Sequence, residues 1–343
     1  MAEEWSAVLQ NYGLSYKFVE PLGKVAKVYT NKGVFALKKI PASIGIDFIH
    51  HIQRLYQAGY HRIVPIYPTM DGRYGVWMNQ YLYYLMPWVE NKGEAEQGEK
   101  QAKLLREIAR LHSLSVKEVP VQVEEREDLY KRTKEKWETE LELLEQYMIL
   151  CERETYMSPF QLLFCLYYFE MSQAIKFSRD KLKMWFEAVE EKDRARMVLI
   201  HGKISPEHFL YDQQGHGFLT NFERSRWASP IHDLLPFLAR SLRTYRKIPD
   251  EELNLILYYM QYFPLKEEEV QLLLSYLAYP AALLQTVHRY FSGEQRQNEM
   301  RMVRKLQKQY WQLKNIEYVV MQLDQIEEEK RRKKKEEQEG ASS

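Results

Sequence analysis

The side chains with the most evident chemistry are gathered in residues 198–235, VLIHGKISPEHFLYDQQGHGFLTNFERSRWASPIHDLL. His201, Lys203, His208, Asn221, Glu223 and Asp233 stand there. A lysine ammonium carries three donors and no acceptor. It serves as a base only if burial lowers its ordinary pKa of about 10.4 by roughly three or more. Glu223 is an anion that could meet a hard cation. Magnesium prefers oxygen ligands, whereas His208 offers a borderline nitrogen and Asn221 an uncharged amide oxygen. Lys203 can instead pair with Glu207 or Glu223, or hold a phosphate as a fixed cation.

Local pattern indicates which elements position these residues. Val198, Leu199 and Ile200 form an apolar run into His201 and Gly202, and residues 209–211 and 218–221 read as a hairpin around the turn formers of 212–217. Upstream, YKFVEPL, KVAKVYT and VFALKKI read as three strands, with residues 30–33 as a hairpin turn. The two-residue period of the third puts Val34, Ala36 and Lys38 on one face and Phe35, Leu37 and Lys39 on the other. Taken alone, Lys38 is a solvated strand lysine. The loop between the first two strands carries Gly23 alone, which is poor for cradling phosphate. The spacing predicts a helix over 46–57, with Phe48, Ile49, Ile52, Leu55 and Tyr56 as its apolar stripe and Asp47 as its cap. No Glu occurs between Pro41 and Trp88, so that helix offers Lys38 no salt-bridge partner. Residues 62–68, 74–78 and 81–86 read as further strands of a five-stranded first lobe.

From Gln101 the chain reads as mostly helical. Leu105, Ile108 and Ala109 share a face with His112, which reads as a core histidine. Trp137, Leu141, Leu144 and Met148 continue at helical spacing, and Ser158-Pro159 is a helix start. Apolar stripes follow at Leu253 to Met260 and at Val270 to Leu277, with a helix from Pro280 through Phe291 and a last one carrying Val303 to Val320. All are core stripes rather than a cofactor box. Residues 326–343 read as a charged, disordered tail whose basic run, 330–335, could touch an acidic partner.

The totals narrow the function classes. A chain of 343 residues suggests two lobes. A formal net charge of +1 gives no general electrostatic case for nucleic acid or a membrane surface. The two cysteines, Cys151 and Cys165, read as buried free thiols of a reducing compartment. The acidic start, MAEEWSAVLQNYG, has no signal-peptide layout. No window approaches the roughly 18 uninterrupted apolar residues of a membrane span.

The 198–235 stretch resembles the catalytic segment of the kinase-like phosphotransferases of the aminoglycoside and choline kinase type. Their loop reads H-G-D-x-x-x-x-N, followed by a hairpin and D-F-D or D-F-E. His201, Gly202, Phe222, Glu223 and Asp233 stand at the expected places. Lys203 replaces the catalytic Asp, His208 the metal-binding Asn, and Asn221 the Asp that holds magnesium. The resemblance implies an α+β, bilobal protein-kinase-like fold: a small antiparallel-sheet N-lobe over 1–90, ending in a hinge at MPWVE, and a large, mainly helical C-lobe over 91–325. It implies Lys38 and Glu223 as nucleotide-binding candidates, with Glu223 the remaining candidate metal ligand, and His201 and Asp233 as braces of the loop.

Within that superfamily the chain is similar to the CotS-type spore coat proteins of endospore-forming bacilli. The similarity rests on KVYTNKGVFALKKI, RIVPIYPTMDGRYGV, YYLMPWVE and HGKISPEHFL. It implies a catalytically impaired, pseudokinase-like protein that binds other spore coat proteins during coat assembly. Such a protein would be made in the mother-cell cytoplasm and pass to the spore coat, without nucleic acid, membrane insertion or cofactor. The alternative is an active small-molecule phosphotransferase with atypical catalytic residues, using ATP and magnesium through Lys38, Glu223 and Glu207.

Overall fold

The computed structural model describes residues 2–91, 97–243, 250–293 and 298–341. Part of the polar segment after the expected hinge, 92–96, and the last two residues of the tail lie outside them. In chain order the elements are α1 (Ala2–Gln10), β1 (Tyr16–Leu22), β2 (Val25–Thr30), β3 (Gly33–Pro41), α2 (Asp47–Gln57), β4 (Val76–Met78), β5 (Tyr81–Pro87) and α3 (Gln97–Ser115). Next come β6 (Lys117–Pro120), α4 (Val123–Glu152), α5 (Pro159–Val189), β7 (Arg194–Ile200), β8 (Phe209–Tyr211), β9 (Gly217–Leu219) and β10 (Arg226–Ala228). The chain closes with α6 (Ile231–Ser241), α7 (Asp250–Tyr262), α8 (Glu267–Ala278), α9 (Ala281–Phe291) and α10 (Glu299–Ala341).

These elements form two compact units: Met1–Val116 with Val198–Pro230, and Lys117–Met197 with Ile231–Ser343. The expected boundary at residue 90 is not where the contacts divide. In the first, the sheet unit, Leu219 bridges Ile63 in parallel fashion, the Val64 N–H donates to the Leu219 carbonyl at 2.9 Å, and the Leu219 N–H donates to that of Arg62 at 2.8 Å. These bonds make residues 198–230 part of the same packing as the N-terminal sheet.

That sheet is antiparallel and five-stranded, in the order β1-β2-β3-β5-β4. The β3–β5 register sets Lys38 opposite Tyr84. Residues 62–68, expected as a strand, make no ladder and contribute isolated bridges at Ile63 and Tyr67. Pro65 and Pro68 remove the donors a ladder would need there. The acidic segment 2–10, which no strong sequence pattern announces, is α1. It lays Val8 and Leu9 against Leu37, Tyr83 and Leu85 of the sheet. Lys39, on that face, donates to Glu4 at 3.0 Å. On the opposite face Tyr84 packs beside Phe48 of α2, ring centroids 5.4 Å apart, and Lys38 points the same way.

The other, helical unit is built around Trp137 and Leu144 of α4, Phe160, Phe164 and Met171 of α5, Leu284 and Val287 of α9, and Leu306 of α10. The start of α5 is a capping box: the Gln161 N–H donates to Ser158 Oγ at 3.2 Å and the Ser158 N–H to Gln161 Oε1 at 2.7 Å. Strand β6, pairing with residues 194–197 of β7, lies where helix was expected. Cys151 is buried as expected and its thiol is pushed up to about 12, chiefly by that burial, but Cys165 is only half-buried. By mean hydropathy rather than uninterrupted run, the stretch Glu267–Phe291 is long and apolar enough to cross a membrane. Two-thirds of its most apolar window (67%) is packed inside this unit, and Tyr279 and Pro280 break it into α8 and α9. The tail, expected to be disordered, continues α10 to Ala341. Most of its described side chains are exposed, and Arg331 pairs with Glu267 of α8 at 2.6 Å.

Candidate functional site

The segment after β7 is fixed by two histidines. His201, fully buried, donates from Nε2 to the Thr220 carbonyl at 2.7 Å. Its Nδ1 accepts the Lys203 backbone N–H at 3.3 Å. His208 donates from Nδ1 to the Lys203 carbonyl at 2.9 Å, and the His208 carbonyl accepts the Thr220 N–H at 2.9 Å. The imidazoles lie 6.0 Å apart. Burial, helped by the nearby charges of His201, Lys203 and Lys38, brings the His208 pKa down to about 4. His208 is therefore neutral at pH 7, and its proton is committed to the backbone. Gly202 has φ +79°, and a Cβ there would sit 2.2 Å from the Arg224 carbonyl oxygen, so no other residue fits.

Lys38, which taken alone reads as a solvated strand lysine, is 6% exposed. Its ammonium donates to Asn221 Oδ1 and forms an ion pair with Glu223 Oε1. The same Glu223 oxygen accepts the Tyr84 hydroxyl at 2.6 Å. The structure thus supplies the partner that α2 lacks, from the short 3-10 turn Phe222–Arg224. Asn221 precedes that turn at φ 68°, the left-handed region that Asn tolerates better than most residues. Burial pulls the Lys38 pKa down, Lys203 and Lys24 add to the pull, and Glu223 opposes it. Burial alone would raise the Glu223 pKa, but the Lys38 charge and the Lys38 and Tyr84 hydrogen bonds hold it below the ordinary value, so it is ionised at pH 7. Helix α2 meets the same loop through His51, whose Nδ1 lies 2.9 Å from Ser225 Oγ.

Lys203 is exposed and makes neither expected pair. Glu223 is taken by Lys38, and Lys203 forms no ion pair with a described residue. Glu207, also exposed, acts instead on Lys100 of α3. Of the sequence-derived set, the structure joins Lys38, Asn221 and Glu223 in one cluster and His201, His208 and the Lys203 backbone in another. Asp233 belongs to the helical unit, 2% exposed in the first turn of α6. Tyr84 and His51 are site residues the sequence did not single out. Tyr84 was findable in principle, because it sits opposite Lys38 across two strands whose ends were both legible. Among the described residues no group of three or more His, Cys, Asp or Glu is placed to hold a metal ion. Glu223 is the carboxylate of the cluster, and its Oε1 already serves two donors.

Solved structures resemble this chain over nearly its whole length. An aminoglycoside phosphotransferase from Alicyclobacillus acidocaldarius matches with a TM-score of 0.72 and 17% identity, over 94% of this chain and 96% of that one. Spectinomycin phosphotransferase matches in its AMP-bound complex with a TM-score of 0.55 and 12% identity, over 92% of this chain and 97% of that one. In complex with ADP and spectinomycin it matches with the same score and identity, 0.55 and 12%, over 94% and 98%. No protein-family model matches the sequence, and no curated protein does. The chain has the kinase-like phosphotransferase fold, α+β, with an antiparallel sheet in its N-terminal region and helices in its C-terminal region.

Proposed function

We propose that this chain is a catalytically impaired kinase-like protein that acts by binding, as a component of the spore coat. The observation that carries the first part is the Lys38 ammonium held between Asn221 and Glu223 while Lys203 extends into solvent. Phosphoryl transfer needs an acceptor for the attacking hydroxyl and a metal to neutralise the phosphates. Lys203 has no acceptor to give. Asn221 brings no charge, and the His208 proton is spent on the backbone. The coat assignment rests on the sequence similarity to CotS-type proteins, and binding other coat proteins is the role that follows from it.

Two experiments test this reading. Titration of the full chain with ATP, followed by thermal unfolding with and without magnesium, should show no magnesium-dependent stabilisation. A competent site at 100 times its Kd would add about 2.7 kcal/mol. During sporulation, a tagged chain should be recovered in the coat fraction of purified spores, and recovery in the cytosol alone would refute the coat role. A magnesium-dependent shift would favour the second reading, an active small-molecule phosphotransferase. The ionised Glu223 carboxylate is the feature that reading would depend on.

A further inference from the structure

In the helical unit, α4 and α9 line an open cleft of about 760 Å³, well apart in sequence from the loop discussed above. That volume suits a small organic ligand. Lys136, Glu140 and Tyr147 of α4 line it, with Tyr279 and, from α9, His288 and Arg289. Three of these side chains form a hydrogen-bonded relay. His288 Nε2 is 2.5 Å from Glu140 Oε2, and the Tyr147 hydroxyl is 3.1 Å from His288 Nδ1. A carboxylate only accepts, so in the neutral ring Nε2 carries the proton and Nδ1 must accept from Tyr147. The Tyr147 oxygen is left with lone pairs for a ligand hydroxyl. Burial and then the Glu140 charge raise the Tyr147 pKa, which keeps that hydroxyl protonated.

The cations of the cleft point to an anion. Lys136 and Arg289 are both exposed, and neither is in an ion pair with a described residue. Arg289 and Arg301 also act together on Lys305 of α10, so positive charge extends beyond the rim. The one carboxylate in the lining, Glu140, is already paired with His288. Rings add apolar surface: Tyr279 is stacked on Trp137 at 4.6 Å and Tyr147 on Phe291 at 4.4 Å.

We propose that this cleft binds a sugar-sized, hydroxylated oxyanion, with Lys136 and Arg289 on the anionic group and Tyr147 accepting from a ligand hydroxyl. Phosphate monoesters and carboxylates share that chemistry. Calorimetric titration of the full chain with glucose 6-phosphate, glucuronate and glucose separates them. One or both acids should bind, and glucose should bind at least about tenfold more weakly, as the loss of charge-assisted hydrogen bonds requires. Lys136→Gln with Arg289→Gln should weaken the acid by about tenfold or more without moving the thermal midpoint, and Tyr147→Phe should weaken it by a smaller factor. Absence of heat with both acids at millimolar concentration would overturn the proposal. So would equal binding of glucose. Acid binding that survives the double variant but is lost in Lys203→Gln would place the anion at the loop and overturn it too.

Discussion

Lys38 in the sheet unit and Lys181 in the helical unit are buried to a similar degree, their side chains 8% and 7% exposed, each against one carboxylate. Their surroundings differ. Lys181 joins α5 to Asp324 of α10 amid apolar contacts, with the Met184 sulfur at 3.9 Å and the Phe177 ring centroid at 5.2 Å. It is a staple between two helices. Lys38 ends in a polar nest: Asn221 accepts from it, Tyr84 donates to its partner Glu223, and Lys24 and Lys203 lie near enough to depress it. A buried lysine–carboxylate pair is thus not in itself a site. What marks the Lys38 pair is the company of further polar groups, and a local excess of positive charge where magnesium chemistry needs negative.

Breaking either pair from one side should give the largest effect and should not distinguish them. Glu223→Gln and Asp324→Asn each leave a buried ammonium uncompensated, at a cost of about 3–5 kcal/mol, measured by urea unfolding at pH 7. A loss under about 1 kcal/mol for Glu223→Gln would mean that Lys38 is solvated after all.

The pH dependence of the sheet unit comes next. His208 is held at about 4 in the folded chain against an ordinary 6.5. The unfolded chain therefore takes up the proton first, and stability complete above pH 6.5 falls as pH drops toward 4. The loss is about 3 kcal/mol. Glu223, with its pKa lowered, adds stability that is present above the ordinary carboxylate value and lost only at lower pH. Unfolding curves of the parent and His208→Gln should diverge between pH 6.5 and 4, with the variant flatter. Parallel curves would remove His208 from its buried, neutral state.

Replacing both partners sharpens the contrast. Lys181→Met with Asp324→Leu should be near neutral or stabilising, because an apolar pair fills the same space. Lys38→Met with Glu223→Leu should cost about 1–3 kcal/mol, because the Tyr84 hydroxyl and the Asn221 amide lose their partners. Equal outcomes would dissolve the distinction. The smallest effect belongs to Lys203→Ala: at an exposed position without an ion pair to any described residue, stability should move by no more than about 0.5 kcal/mol.

Much of the sheet was legible because strand alternation and turn residues are local signals. So were the helix start at Ser158-Pro159 and the start of α9 near Pro280. The burial of Lys38 was not legible: a period of two says which face a side chain takes, not what covers that face. Its cover is Glu223 and Asn221, brought up from far along the chain. The 62–68 run was misread because its apolar content outweighed Pro65 and Pro68, which decide the hydrogen bonding. The tail was misread because a run of charge without an apolar stripe gives no local sign of helix, yet it prolongs the helix that begins at Glu299. The identities at 203, 208 and 221 were legible from the start; that His208 and Asn221 are tied to the backbone and to Lys38 needed the structure.

The most direct measurement is turnover of magnesium-ATP by the purified full chain, alongside Lys38→Ala and a variant carrying Lys203→Asp, His208→Asn and Asn221→Asp. The expected result is no transfer or hydrolysis above background in the parent, with Lys38→Ala indistinguishable from it and any gain confined to the triple variant. Turnover by the parent at about 1–100 per second, the ordinary range for kinases, abolished by Lys38→Ala, would contradict the reading of this site as impaired.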